Sequence, residues 1–179
     1  MTDEELLQKF RQPESRNYAF NLLVRKYQQK VYGLIRKMVI DHDDADDLTQ
    51  ETFIKVWHSL DNFRGDSQVY TWLYRIATNE CLNFLDKKKR RFFLPLHDVA
   101  NELAAKLDDD PLVTGDDIQL RLQKAILTLP DKQRLVFNLK YFEEMKYEEM
   151  AEVTGTSVGA LKASYHLAVK KIEEFLTKG

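Results

Sequence analysis

Apolar residues fall at steps of three and four over Phe20, Leu23, Tyr27, Val31, Leu34 and Met38, the inward stripe of an amphipathic helix. The polar run Asp41-His42-Asp43-Asp44 interrupts it, and a second stripe follows at Ala45, Leu48, Thr52, Val56 and Leu60. Its acidic start suits the positive end of a helix. Asn62 and Gly65 mark a turn, after which Leu73, Ile76, Ala77, Cys81 and Phe84 predict a third helix. Between 93 and 117 the period fails and Pro95, Pro111 and Gly115 appear, so this stretch reads as a linker with helical character only around Glu102 to Leu107. Beyond it, Ile118, Leu122, Ala125 and Leu129 form a helix stopped by Pro130, and Leu135, Val136, Leu139 and Phe142 form the next. Two shorter helices are predicted at Tyr147 to Val153 and at Ser157 to about Leu176. The pattern predicts an all-α chain of two small helical domains, 1–92 and 118–179, joined by the linker 93–117.

Composition narrows this picture. A chain of 179 residues excludes a large multidomain enzyme, and six Gly with four Pro are too few turn-makers for a sandwich of many short strands. One cysteine excludes an internal disulfide framework and a Cys-clustered zinc site, so a reducing compartment is expected. Met1-Thr2-Asp3-Glu4-Glu5 is acidic where a signal peptide would be basic, and no apolar run approaches the length of a membrane span. The chain is expected to be soluble and cytoplasmic, without membrane insertion. Its formal charge of −2 hides a pattern: 1–92 holds 16 basic against 14 acidic residues, 93–117 holds 1 against 7, and 118–179 holds 10 against 8. The acidic linker thus separates two mildly basic domains.

The last two helices are separated only by Thr154-Gly155-Thr156, which forces a sharp turn where Gly155 can take positive φ. Ser157 can cap the final helix, whose inward stripe is Val158, Leu161, Tyr165, Ala168, Ile172 and Phe175. Gly159, Lys162, Ala163, His166 and Lys170 then face outward near its start, the part that a recognition helix inserts into a major groove. Lys132 and Arg134 could hold phosphates, although surface charge explains them equally well. The third helix carries a further stripe outside its core face: Trp72, Arg75, Asn79, Asn83 and Lys87. Aromatic, amide and cationic groups on one face suit an opened nucleic-acid strand, and the run Lys87-Lys88-Lys89-Arg90-Arg91 attracts phosphates.

At these residues the chain resembles the extracytoplasmic-function, or group IV, sigma factors. Asp44-Ala45-Asp46-Asp47-Leu48-Thr49-Gln50-Glu51-Thr52-Phe53-Ile54-Lys55-Val56-Trp57 is similar to the family's polymerase-binding motif. Phe63-Arg64-Gly65-Asp66-Ser67 with Thr71-Trp72-Leu73-Tyr74-Arg75-Ile76-Ala77-Thr78-Asn79 resembles its promoter-melting segment, and Leu129-Pro130 with the helix-turn-helix resembles region 4. The resemblance implies a non-catalytic subunit that binds core RNA polymerase, recognises promoter DNA and starts transcription, often restrained by an anti-sigma factor. It assigns Asp43, Asp47, Gln50, Glu51 and Lys55 to polymerase. Phe63, Arg64, Ser67, Trp72, Arg75, Asn79, Asn83 and Lys87 fall to the minus-ten element, and Arg134, Ser157, Lys162, Ala163, His166 and Lys170 to the minus-thirty-five element. The family often carries Ser at the position of Ala163 and Arg at those of Leu167 and Val169, so upstream readout here has fewer polar anchors. Ala163 would suit a thymine methyl. The resemblance also implies that the acidic linker, including Asp108, Asp109 and Asp110, threads through basic channels of polymerase.

Other classes are weighed by the same residues. His42-Asp43 resembles the dyad of a metal-dependent phosphohydrolase, but His58, His97 and His166 have no matching ligand spacing. No Ser-His-Asp set or Gly-rich phosphate loop is present, so neither catalysis, a metal nor a cofactor is expected. A two-domain regulator would bind DNA tightly without polymerase, whereas a purely interacting helical adaptor would have no DNA dependence. Cys81 lies on a core stripe and reads as inert packing.

Overall fold

A computed structural model describes residues 1–92, 96–108 and 116–178, with the side chains of 91–100 left aside. Regular structure among them is helical, with no strand. Pro95, Pro111, Gly115, Asp109 and Asp110, which the linker assignment uses, lie outside the described residues.

The first helix, α1 (Asp3–Phe10), is absent from the periodicity reading because eight residues give barely two turns of pattern. Its signal is a capping box. Thr2 Oγ1 accepts from the Glu5 backbone N–H at 3.2 Å, and a Glu5 carboxylate oxygen accepts from the Thr2 N–H at 3.0 Å. Phe10 then packs edge-on against Trp57, with centroids 5.4 Å apart, and Arg16 lies over both rings while pairing bidentately with Asp61.

α2 (Arg16–Val39) buries Leu23, Tyr27, Val31, Leu34 and Met38 as the stripe predicts, while Phe20 stays half-buried. It ends at Ile40, a β-branched residue at φ 69° and ψ −51°, a strained γ-turn closed by the Asp41 N–H donating to the Val39 carbonyl at 2.8 Å and costing about 1–3 kcal/mol. Burial of the Ile40 side chain and an Arg36 Nε bond to its carbonyl at 2.6 Å hold it there. The Asp41 carboxylate accepts from the Asp44 N–H at 3.0 Å and starts α3 (His42–Ser59), whose predicted inner face is buried and widened by Thr49 and Phe53. A 3-10 turn at Leu60–Asn62 leads to a loop with Gly65 at φ 81°, then to α4 (Val69–Phe92). Leu73, Tyr74, Ala77, Cys81 and Leu85 of α4 are buried; Ile76 and Phe84 are only half-buried.

α5 (Leu96–Asp108) alters the linker expectation. A 13-residue helix docks here, with Leu103 and Leu107 each 2% exposed. These two leucines stand one turn apart and form an apolar edge too short to register as periodicity. Ion pairs fix its borders: Lys88 to Glu102 at 2.9 Å, Lys106 to Asp41 at 3.5 Å, and Lys124 to Asp108 at 2.8 Å.

The carboxyl-terminal lobe contains α6 (Asp117–Leu127), α7 (Asp131–Tyr141), α8 (Tyr147–Thr154) and α9 (Val158–Lys178). Gly155 turns the chain at φ 70°, its N–H donating to the Ala151 carbonyl at 2.9 Å, and the Ser157 hydroxyl accepts from the Ala160 N–H at 3.2 Å. At 21 residues α9 is far from short, and Phe175, expected inside, is 39% exposed. The lobes share a seam: α7 and α8 pack on α2 and α4, so one apolar cluster runs from Leu6 and Phe10 through Leu73 to Leu139, Met150 and Leu161. Periodicity reveals that a helix face is apolar, not which partner covers it, and this packing is therefore invisible in the sequence.

Candidate functional site

Three exposed faces gather the candidate residues. On α4, Arg75, Asn79, Asn83 and Lys87 are exposed and Trp72 is half-buried. The fifteen-residue step from Trp72 to Lys87 covers about 22 Å at the helical rise, a track with one aromatic end and one cationic end. The Trp72 ring rests 5.0 Å from that of Phe63. Phe63 departs from its assignment: at 7% exposure it is a support beneath the loop, and no base can stack on it in this conformation. The sequence signal is ambiguous because an aromatic before Arg64-Gly65 serves a core and a stack equally well. Arg64 and Asp66 are exposed, and Ser67 is half-buried.

The basic run at the end of α4 is also divided. Lys87 and Arg90 are exposed, whereas Lys88 pairs with Glu102 of α5 and Lys89 pairs with Asp131 of α7 at the seam. The phosphate attraction read from five consecutive cations is accordingly reduced. Arg91 has no described side chain.

The second face belongs to α3. Asp43, Asp47, Gln50, Glu51 and Lys55 are all exposed along it. Lys55 is tied to Glu80 of α4, a carboxylate only 10% exposed. Beside this charged row lies a groove of about 550 Å³, bounded by Phe20 and Val24 of α2 and by Gln50, Phe53, Ile54 and Trp57 of α3. Ile54, 58% exposed, is absent from the sequence-based set, although a large apolar residue outside the inner stripe is the signal that could have found it.

The third face is the start of α9. Lys162, Ala163, His166 and Lys170 are exposed on it, and Ser157 stands at its cap. Leu167 is 50% exposed and Lys162 Nζ lies 5.7 Å from the Tyr147 ring. Small and cationic groups thus project from a helix anchored by Leu161, Ala168 and Ile172.

Arg134, also assigned to upstream DNA, does not lie on this exposed face in the closed chain. It is 2% exposed, and Nη1 donates to the Met38 carbonyl at 2.6 Å and to that of Lys37 at 3.3 Å. Burial lowers the guanidinium's hold on its proton, and neighbouring Asp131 opposes that effect. An arginine early in an amphipathic helix has the same sequence appearance on either face, so its burial here is not legible from spacing. Asn138 adds a contact from Nδ2 to the Met38 sulfur at 3.4 Å. Acidic α8 also approaches the loop before α4: Glu149 and Glu152 line one side of a groove of about 340 Å³ whose other side is Gly65 to Gln68 and Thr71.

No group of three or more His, Cys, Asp or Glu among the described residues is placed to hold a metal, and His42 is engaged with the Tyr32 hydroxyl. Cys81 is fully buried, which pushes its thiol up to about 12. No helix among the described residues is long and apolar enough to cross a membrane.

Comparison with known proteins matches residues 23–91 to sigma-70 region 2 and residues 119–172 to sigma-70 region 4. The RNA polymerase sigma-H factor of Pseudomonas aeruginosa is 37% identical over 184 residues, covering 97% of this chain and 93% of that protein. The ECF RNA polymerase sigma-E factor of Haemophilus influenzae is 34% identical over 183 residues, covering 97% and 94%. Among solved structures, CnrH in complex with the cytosolic domain of CnrY superposes with a TM-score of 0.71 at 25% identity, covering 98% of this chain and 97% of that one. The fold is also that of the sigma factor RpoE from Bartonella quintana, solved with the anti-sigma factor NepR: TM-score 0.68, 24% identity, covering 88% and 96%.

Proposed function

The chain belongs to the extracytoplasmic-function sigma factors of the sigma-70 family, and on that premise we propose a division of labour among its three faces. As such a factor it is a non-catalytic specificity subunit that binds core RNA polymerase, directs it to specific promoters and promotes strand opening. The row Asp43, Asp47, Gln50, Glu51 and Lys55 docks on polymerase, with Ile54 and the adjoining groove supplying apolar contact. Carboxylates give such a surface its orientation and on-rate, while the desolvated apolar anchor gives it residence time.

The loop Arg64 to Ser67 and the α4 track engage the minus-ten element. Trp72 stacks at the edge of the opened strand, Asn79 and Asn83 offer paired donors and acceptors, and Arg75 and Lys87 neutralise phosphates. Lys162, Ala163, His166 and Lys170 enter the upstream major groove with Ser157 at the helix start. Residues 1–92 and 118–179 are thus the two functional units and 93–117 their connection. The work belongs in the cytoplasm beside polymerase. An anti-sigma factor is the expected restraint, as CnrH and RpoE are each solved with a partner protein.

The observation that carries this reading is that the aromatic, amide and cationic track on α4 and the exposed start of α9 occur in one chain beside a charged docking row. Run-off transcription tests it. Core polymerase with this chain should give promoter-specific transcript on templates from its own genome, and each component alone should give none. Tight operator binding without polymerase would instead favour a conventional regulator.

A further inference from the structure

The second half of the chain is fastened to the first at a particular place, the end of α2. The last carbonyls of a helix have no partner within it and stand at its negative pole. Lys37 and Met38 present two such oxygens, and the Arg134 guanidinium from α7 meets both. Around this contact lie Lys89 with Asp131, Asn138 with the Met38 sulfur, and the Tyr74 hydroxyl donating to Glu143 at 3.1 Å. Together these polar links border the apolar seam formed by Leu135, Leu139, Met145 and Met150 against α2 and α4.

A distance requirement sets this arrangement against promoter engagement. Elements centred near minus ten and minus thirty-five are about 25 base pairs apart, or about 85 Å at 3.4 Å per pair. A compact chain of this length has a radius of gyration of about 16 Å and thus a diameter near 40 Å. With α7 and α8 packed on α2 and α4, the α4 track and the start of α9 cannot reach both elements at once.

We propose that Arg134 is an exchangeable latch: it caps the end of α2 in a closed chain and, once the lobes part, gives up the Lys37 and Met38 carbonyls for backbone phosphates beside the upstream element. The second half of this statement rests on the sigma-factor reading above; the closure does not. Carbonyl and phosphate oxygens are interchangeable acceptors for a guanidinium, and the charged acceptor is the stronger. Closure and upstream DNA therefore compete for one side chain. Any partner that binds only the open form sees its apparent dissociation constant multiplied by the inverse of the open fraction.

Small-angle scattering on the full chain, combined with run-off transcription at limiting chain concentration, tests this. The free parent should show a radius of gyration near 16 Å. Replacing Asp131→Ala and Glu143→Ala together removes two links and no residue assigned to polymerase or DNA. That variant should expand by roughly a fifth or more and transcribe severalfold better, with helical content checked by circular dichroism. Should it lose helix, Tyr74→Phe, which deletes one hydroxyl, is read in its place with the same expected sign. Arg134→Ala should expand equally but forfeit the gain in transcript on a promoter that needs its upstream element. A parent that is already extended, or a folded double variant as compact as the parent, overturns the closure. Arg134→Ala transcribing as well as the double variant overturns the exchange. Expansion as expected with no promoter-specific transcript from any form overturns the sigma-factor reading and the exchange with it, and supports the closure.

Discussion

Two side chains of α4 report on their surroundings, one by reactivity and one by stability. Cys81 has no exposed surface and its thiol is pushed up to about 12 by burial, so almost none is thiolate at neutral pH. It should resist iodoacetamide in the folded chain and react fully in denaturant; rapid alkylation of the native protein would contradict the burial. Glu80, paired with Lys55, gives a sharper case because one residue of the pair is also a candidate polymerase contact. Lys55→Ala leaves a largely buried carboxylate without its partner and should cost about 1–3 kcal/mol in urea denaturation. Adding Glu80→Gln should recover most of that stability. Any defect in polymerase binding that persists in the stable double variant then belongs to the Lys55 contact itself. Arg134 shows why residue roles were only partly legible: Lys162 and Arg134 are both cations on amphipathic helices, yet one is exposed and the other is 2% exposed. Spacing within a helix separated Lys162 from the core. For Arg134, the deciding neighbour lies 96 positions away at Met38.

At the scale of elements, the sequence was most readable where one stripe was long. Apart from half-buried Phe20, the inward stripes of α2 and α3 match their buried residues, and the turn at Gly155 stands where the glycine demanded it. It was least readable at α1 and α5, which are short and held by a capping box, two leucines and ion pairs rather than by a sustained period. The start of α3 allows a quantitative check on such local terms. Asp41→Ala removes the cap on the Asp44 N–H and should destabilise the chain by about 1 kcal/mol at neutral pH. That backbone bond, joined by Lys106 and opposed by burial, holds the Asp41 carboxyl below its usual value. Its contribution is therefore complete above about pH 3.9 and disappears as pH falls through the lower folded value. Asp44 is displaced the other way, chiefly by burial and then by Asp41, so its ionised form opposes folding above its raised value. Thermal melts of parent and variant at neutral and strongly acidic pH should differ in the first condition and converge in the second.

For the whole molecule, the charge arrangement matters more than its sum of −2. Two of the cations at the end of α4 are paired, one with α5 and one across the seam, and Glu149 and Glu152 line the groove beside the loop Gly65 to Gln68, so weak bulk attraction for duplex DNA is expected of the free chain. Gel shifts should show little promoter binding by the chain alone, and strong, salt-sensitive binding once core polymerase is present. A tight specific complex without polymerase would refute that view. The seam has a further consequence during synthesis. Arg134 emerges 96 residues after the Met38 carbonyl that it caps, which at about 5–20 residues per second means an interval of roughly 5–20 s. Throughout that time the nascent amino-terminal lobe carries the charged row of α3 and its uncovered seam together. Every newly made molecule is thus open before it is closed, and a partner waiting at the ribosome meets it first in that form.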